Sequence, residues 1–255
     1  MAALSEKKPP KPGKERLDVL LVERGLAPSR ERARALLLAG QVRVNGMPSD
    51  KPGTQIAKDA AIEIVGETLR YASRAGLKLE GALEDFGVSP AGEICLDIGS
   101  STGGFTDCLL QRGATRVHAV DVTIDQLDWK LRNDARVHAV ELNARHLRAE
   151  DIGEPVDLVT IDVSFISVAK ILPAVVTAAG AAAEFVILVK PQFELEKGAV
   201  GKGGIVRDEL SRQRAVGQVK SAAANAGLEI LGSRPSRVKG AEGNQEFFLH
   251  ARRRT

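Results

Sequence analysis

The chain has 255 residues, room for one large and one small domain, and its 44% apolar and 27% charged residues are those of a globular protein rather than a disordered or fibrous one. The net charge of +3 is unevenly placed, with 12 Lys+Arg against 8 Asp+Glu in residues 1–65 and 24 against 25 in residues 66–255. Two cysteines without a second ligand at metal spacing, a charged Pro-rich start without an apolar leader, and no apolar run near the roughly 20 residues of a membrane helix predict a cytoplasmic chain with no metal, no secretory signal and no membrane span.

Residues 1–15 read as a flexible basic tail in which Lys7, Lys8, Lys11 and Lys14 alternate with prolines, either simply solvated or touching nucleic acid. From residue 16, Leu17, Leu20, Leu21 and Val22 recur at helical spacing, and Gly25 stops the run. Ser29 is an N-cap for a second helix carrying Ala33, Leu36 and Leu37, closed by Gly40. QVRV then alternates as a strand, and Asn45-Gly46 marks a tight turn. Residues 16–65 therefore predict a small α+β domain. Arg16, Arg30, Arg34 and Arg43, with Arg24 and Arg32, form a candidate basic face, but helical residues two apart diverge by roughly 200°, so some of them serve only as solvated surface. Residues 16–64 resemble the small RNA-binding domain of the ribosomal-protein-S-four type. That resemblance implies that Arg16, Arg30, Arg34 and Arg43 face structured RNA, through phosphate and shape rather than base edges.

A linker over 66–72 leads into a second domain over 73–255. YASRAGLKLEGALEDFGV is helical by its Leu77, Leu79, Ala82, Leu83 and Phe86 pattern. From residue 94 the strand-like runs ICLDI, RVHAVDV, VHAVEL, VDLVTIDV and EFVILVK alternate with the helix-like FTDCLLQR, QLDWKLRN and SVAKILPAVV. A long helix from Asp208 and the strands LEILGS and EFFLHA close the series. Near-continuous apolar strands separated by helices predict an α/β fold, a doubly wound Rossmann-like parallel sheet covered on both faces.

In such a fold ligands sit at the carboxyl ends of the strands, and the first strand-to-helix turn is the usual contact. Here that turn is DIGSSTGGF, with Asp97, Gly99, Ser100, Gly103 and Gly104. The spacing is not G-x-G-x-x-G and lacks the Lys-Ser/Thr of a phosphate loop, which disfavours a dinucleotide or triphosphate. A carboxylate followed by small residues suits a zwitterionic amino-acid tail beside a sulfonium, and the loop resembles the first motif of S-adenosylmethionine (SAM)-dependent methyltransferases; the alternative is a plain tight turn. Asp121, ending the second strand, is either an acceptor for two ribose hydroxyls or a helix cap, a role that Asp125 fits better. Asn143 is either an adenine contact or a turn residue. Asp162 and Lys190 end the fourth and fifth strands and converge on the same crevice, as working groups or as a salt bridge. His118, His138, His146 and His250 fit no triad or metal spacing, and Trp129 is expected to pack. The loop 191–206, with Lys197 and Lys202, is either a lid or an ordinary long loop.

The segments SRAGLKL, VTIDVSFIS, ILVKPQFE, VGKGGIVRD and GNQEFF resemble the TlyA (haemolysin A) family of rRNA ribose 2′-O-methyltransferases, whose catalytic domain is related to FtsJ-type enzymes. The resemblance runs from residue 16 almost to the last residue. It implies a Lys-Asp-Lys-Glu tetrad at Lys78, Asp162, Lys190 and Glu246, and SAM held by Asp97, Gly99, Ser100, Gly103, Gly104, Asp121, Asn143 and Asp162. It also implies a cytidine ribose in ribosomal RNA, free or in a ribosomal subunit, as substrate. A ribose hydroxyl is a poor nucleophile, so a positioned base helps, and a lysine serves as one only when burial or a second ammonium lowers its pKa. Lys190 is accordingly assigned as base and Lys78 as the neighbour that holds substrate and perturbs it. Asp162 and Glu246 orient the two amines. Leu77 stands where the family commonly has histidine, VTIDQL follows Asp121 where glycine and an aromatic are common, ELNARHL is short, and Tyr71-Ala72 replaces an aromatic-branched pair. A non-catalytic RNA-binding ribosome-assembly factor and a cytolysin are the rival readings; the complete tetrad argues against the first and the lack of any spanning segment against the second.

Overall fold

The computed structural model describes residues 13–27, 29–38, 40–65, 70–240 and 243–254. Lys7, Lys8 and Lys11 of the expected tail, and residues 66–69 of the expected linker, lie outside the described residues. Contacts divide the chain into Met1–Thr68 and Leu69–Thr255.

In the first unit β1 (Lys14–Arg16) pairs antiparallel with β4 (Gln55–Ala57), so Lys14 and Glu15 belong to a strand rather than to a tail. Helices α1 (Leu17–Glu23) and α2 (Arg30–Leu38) follow. Ser29 caps α2 as expected, its Oγ accepting from the Arg32 N–H at 3.2 Å. A three-stranded sheet of order β3-β2-β5 is built from β2 (Val42–Val44), β3 (Met47–Pro48) and β5 (Ile62–Ile64). Asn45 and Gly46 turn its hairpin at φ +50° and +78°, the left-handed pair that a two-residue connection requires. Leu17, Leu21, Ala33, Leu36 and Leu37, the positions the helical spacing picks out, join Val42 of β2 in its core.

The second unit opens with α3 (Ala75–Phe86), β6 (Ile94–Ile98), α4 (Gly104–Gln111), β7 (Arg116–Asp121), α5 (Trp129–Arg132) and β8 (Val137–Glu141). It continues with α6 (Ala149–Ile152), β9 (Leu158–Ile161), α7 (Leu172–Ala178), β10 (Glu184–Val189), α8 (Pro191–Glu194), α9 (Glu209–Asn225), β11 (Leu228–Pro235) and β12 (Phe247–Arg253). The seven strands order as β11-β12-β10-β9-β6-β7-β8. Strands β6 to β10 are mutually parallel, whereas β12 runs antiparallel to both β10 and β11, so the sheet is not uniformly parallel. One face is covered by α7 and α9 through Leu172, Val175, Val219 and Ala223. The other is covered by α3, α4 and α5 through Leu79, Leu83, Phe105, Leu109 and Leu131. Tyr71, expected in the linker, is instead buried in this second core, and a Cβ on Gly76 would lie 2.4 Å from its ring. Trp129 is 61% exposed and does not pack as expected, because α5 is a single turn with only Leu131 turned inward. Its cap is Asp128, accepting from the Lys130 N–H at 2.9 Å, not Asp121 or Asp125.

Candidate active site

The chain passes from β6 to β7 and β8 on one side of the sheet and from β9 to β10 on the other, so the order reverses at β6 and β9. Loops leaving neighbouring strands in opposite directions open a crevice at such a point. A cavity of about 480 Å³ lies there, lined by Gly99 and Ser101 after β6, Asp121 and Val122 after β7, Asn143 after β8 and Asp162 after β9. A smaller one of about 190 Å³ adjoins it, sharing Gly99, Ser101, Asp162 and Ser164 and adding Ser100, Gly104, Ser73 and Lys190.

The glycine turn is shaped by its surroundings as much as by any ligand. Gly99 has φ +84°, and a Cβ there would lie 2.5 Å from the Asp162 carbonyl oxygen. Gly103 reaches neither cavity; at φ +92° it lets α4 pack on Leu127 and Leu131, whose methyl carbon lies 2.2 Å from where a Cβ would be. Asp97 likewise lies beneath the crevice and not in it. It is fully buried, and its oxygens accept from the Thr106 hydroxyl at 2.7 Å and the Thr160 hydroxyl at 3.0 Å. Burial pushes its carboxyl up to about 7; the two hydroxyls offset part of that, and Asp162 adds to it. Asp97 and Gly103, expected among the SAM contacts, here support the loop from beneath. Asp121 does face the crevice, and one of its oxygens accepts from the Ser101 N–H at 2.8 Å, holding that residue at φ +47°. Its other oxygen has only the Thr123 N–H at 3.5 Å, so it retains acceptor capacity. Asn143 both lines the crevice and caps the following turn, accepting from the Arg145 N–H at 3.1 Å.

Lys78, Asp162, Lys190 and Glu246 come together as two ion pairs. Lys190 Nζ is 2.6 Å from Asp162 Oδ1 and donates to Ser164 Oγ at 2.7 Å, and Lys78 Nζ donates to Glu246 Oε2 at 2.6 Å. Both pairs are largely hidden from solvent. The reversed strand explains how Glu246 arrives: β12 pairs Phe247 with Val189, so the residue before β12 lies at the same end as Lys190, the residue after β10. On a parallel strand the residue before the first would lie at the opposite end of the sheet. Glu246 is further enclosed by Gly240, whose Cβ would meet Oε1 at 2.5 Å.

Two groups here lie within VTIDVSFIS but are not singled out as site residues by the sequence. Ser164 is one; Phe165 is the other, 92% exposed at φ +65° on the rim of the larger cavity, its ring centroid 5.2 Å from that of Phe193. The left-handed backbone of a bulky residue is a strained conformation retained only where its surroundings demand it. Loop 191–206 is anchored: Leu195 and Val206 pack on Ala215 of α9, while buried Asn244 accepts from the Val206 N–H at 2.9 Å and donates to the Gly204 carbonyl at 2.8 Å. The side chains of Lys197 and Lys202 lie outside the described residues. Three of the four histidines are otherwise engaged, His118 bridging His138 and Glu154 and His250 meeting Glu184, and His146 is exposed. No group of His, Cys, Asp or Glu suited to a metal occurs among the described residues, nor any helix long and apolar enough to cross a membrane.

The FtsJ-like methyltransferase family model matches residues 71–253, and the S4 domain model matches residues 15–62. The chain belongs to the FtsJ-like methyltransferase family. Within it, the 16S/23S rRNA (cytidine-2′-O)-methyltransferase TlyA of Mycobacterium tuberculosis is 49% identical, over 94% of this chain and 90% of that protein. Hemolysin A of Brachyspira hyodysenteriae is 43% identical over 92% and 98%, so the resemblance to the TlyA type holds along nearly the whole chain. A solved Streptococcus thermophilus structure superposes with a TM-score of 0.73 at 43% identity, covering 94% of this chain and 89% of that one.

Proposed function

We propose that this chain methylates the 2′-hydroxyl of a cytidine in ribosomal RNA, using SAM. The observation that carries the reading is the pair of buried lysine–carboxylate contacts beside a crevice that suits an adenosine. The fit is chemical: Asp121 keeps a free acceptor for ribose hydroxyls, Val122, Leu142 and Ile171 give apolar walls, and Gly99 leaves the backbone bare where a ligand tail would pass. SAM, when bound, supplies a methyl group from its sulfonium and leaves as a thioether. Asp121 and Asn143 would hold its adenosine, while Ser100, Gly104 and Asp162 would flank its other end.

Lys190 acts as the neutral amine: after its ammonium proton has passed to solvent, its Nζ takes the proton of the attacking hydroxyl as the methyl leaves the sulfonium, and Asp162 and Ser164 aim that amine at the smaller cavity. Lys78, steadied by Glu246, holds the ribose or its phosphate. Phe165 offers a face on which the target base stacks once drawn out of the RNA. Residues 16–65 bind the RNA, and 73–255 perform the chemistry. The ribosomal substrate places the activity in the cytoplasm.

The test is transfer of labelled methyl from SAM to unmodified ribosomal subunits and to free rRNA. Label recovered as 2′-O-methylcytidine, falling about 10²- to 10⁴-fold in Lys190→Ala with SAM still bound, is the expected result. Undiminished transfer in that variant would remove Lys190 as base; no transfer by the unaltered chain would leave an RNA-binding factor.

A further inference from the structure

The first unit holds a buried carboxylate surrounded by three guanidinium groups. Asp18, in the first turn of α1, has no exposed surface, and its N–H donates to the Pro52 carbonyl at 3.1 Å, which fixes the side chain's origin. Arg16 grips it with two bonds, Nε to Oδ1 and Nη2 to Oδ2, both 2.9 Å. Arg30 reaches Oδ2 at 3.1 Å and Arg34 reaches it at 3.5 Å. Arg30 and Arg34 are four apart on α2 and so share one face, while Arg16 comes from the strand before α1. Their side chains remain 39%, 53% and 52% exposed.

This is a poor way to gain stability. Taking a carboxylate out of water costs several kcal/mol before its partners repay it, and apolar residues of similar volume commonly serve a fold as well. It is a good way to hold positive charge in place. One carboxylate neutralises one of three charges, leaving a net two on side chains that remain partly exposed to water. Long side chains that would otherwise lose rotamer freedom on binding are already ordered, and a planar fork fits a phosphate oxygen pair.

We infer that Asp18 is the positioning residue of a phosphodiester-binding site, converging Arg16, Arg30 and Arg34 on adjacent phosphates of an RNA backbone. The inference rests on the RNA-binding reading of the first unit and adds to it the acidic residue that makes the basic ones work together. It has an unusual sign. If affinity followed charge alone, Asp18→Asn would add one net positive charge and bind RNA more tightly, with a steeper dependence on salt. With Asp18 as positioning residue, the same substitution weakens binding although the chain becomes more basic.

The experiment titrates the full chain against an unmodified rRNA transcript by fluorescence anisotropy at several salt concentrations. It compares Asp18→Asn with the double variant Arg30→Lys/Arg34→Lys, which keeps the charge and loses the forks; both are half-exposed positions that tolerate the change. SAM binding, which belongs to the other unit, serves as the control for folding of the rest of the chain. Expected is a loss of about tenfold in RNA affinity for each, with SAM binding unchanged. Binding equal to or tighter than that of the unaltered chain by either variant would overturn the inference while leaving the RNA-binding reading intact. Should Asp18→Asn unfold the first unit, the lysine variant alone decides. Failure of the unaltered chain to bind the transcript would overturn both.

Discussion

Among single residues, Gly240 makes the most economical probe of the proposed catalytic pairs. A methyl group there would lie 2.5 Å from Glu246 Oε1, so Gly240→Ala displaces the carboxylate from Lys78 without altering any charge. Methyl transfer is expected to fall about tenfold or more, as happens when a positioned catalytic group moves by about an ångström, with SAM affinity unchanged in equilibrium binding. Asp97 makes a prediction about pH. Its folded carboxyl keeps its proton up to about 7, whereas the unfolded one releases it near 4. The native state therefore binds more protons between those values, and stability falls as pH rises through that window. Melting curves from pH 4 to 8 should show this slope and should lose most of it in Asp97→Asn. That Lys78, Asp162, Lys190 and Glu246 form ion pairs was foreshadowed by the strand ends and motif segments that mark them. Which lysine meets which carboxylate was not, since the pairing depends on the direction of β12. The threonine partners of Asp97 were not legible either: a carboxylate at a strand end reads the same whether or not Thr106 and Thr160 from neighbouring elements meet it.

The secondary-structure elements were legible where periodicity was strong and where caps were plain. β6, α4, β7 and the capped α2 fall where apolar spacing, Ser29 and the glycines put them. What failed was α5, whose single turn is too short for helical periodicity to show which side faces the core, so exposed Trp129 read as a packing residue. Loop 191–206 also escaped, because its anchor, Asn244, comes from about forty residues further along the chain. Asn244→Ala removes the partner of a buried N–H and is expected to cost about 1–3 kcal/mol, seen as faster hydrogen exchange and proteolysis over residues 197–206. If that loop moves during turnover, SAM or RNA will slow its cleavage in the unaltered chain. Gly103→Ala tests the α4–α5 packing, where overpacking against Leu127 and Leu131 and the left-handed backbone together cost about 2–3 kcal/mol in denaturant unfolding.

For the entire chain, contacts divide at residue 68 and each part has its own apolar core. Deleting residues 1–65 is expected to leave SAM binding nearly intact and to abolish RNA methylation; loss of both would mean that the first unit supports the fold of the second. The sheet's mixed direction was the part of the architecture that periodicity could not supply, since an apolar run reads alike in either sense. That reversal sets an order of events. β12 is the last strand made, yet it must enter between β10 and β11, which precede it in the chain. The residues that line the crevice all precede β10, whereas Lys78 pairs with a residue 168 positions away. The residues that line the crevice are therefore synthesised well before the carboxylate that Lys78 pairs with.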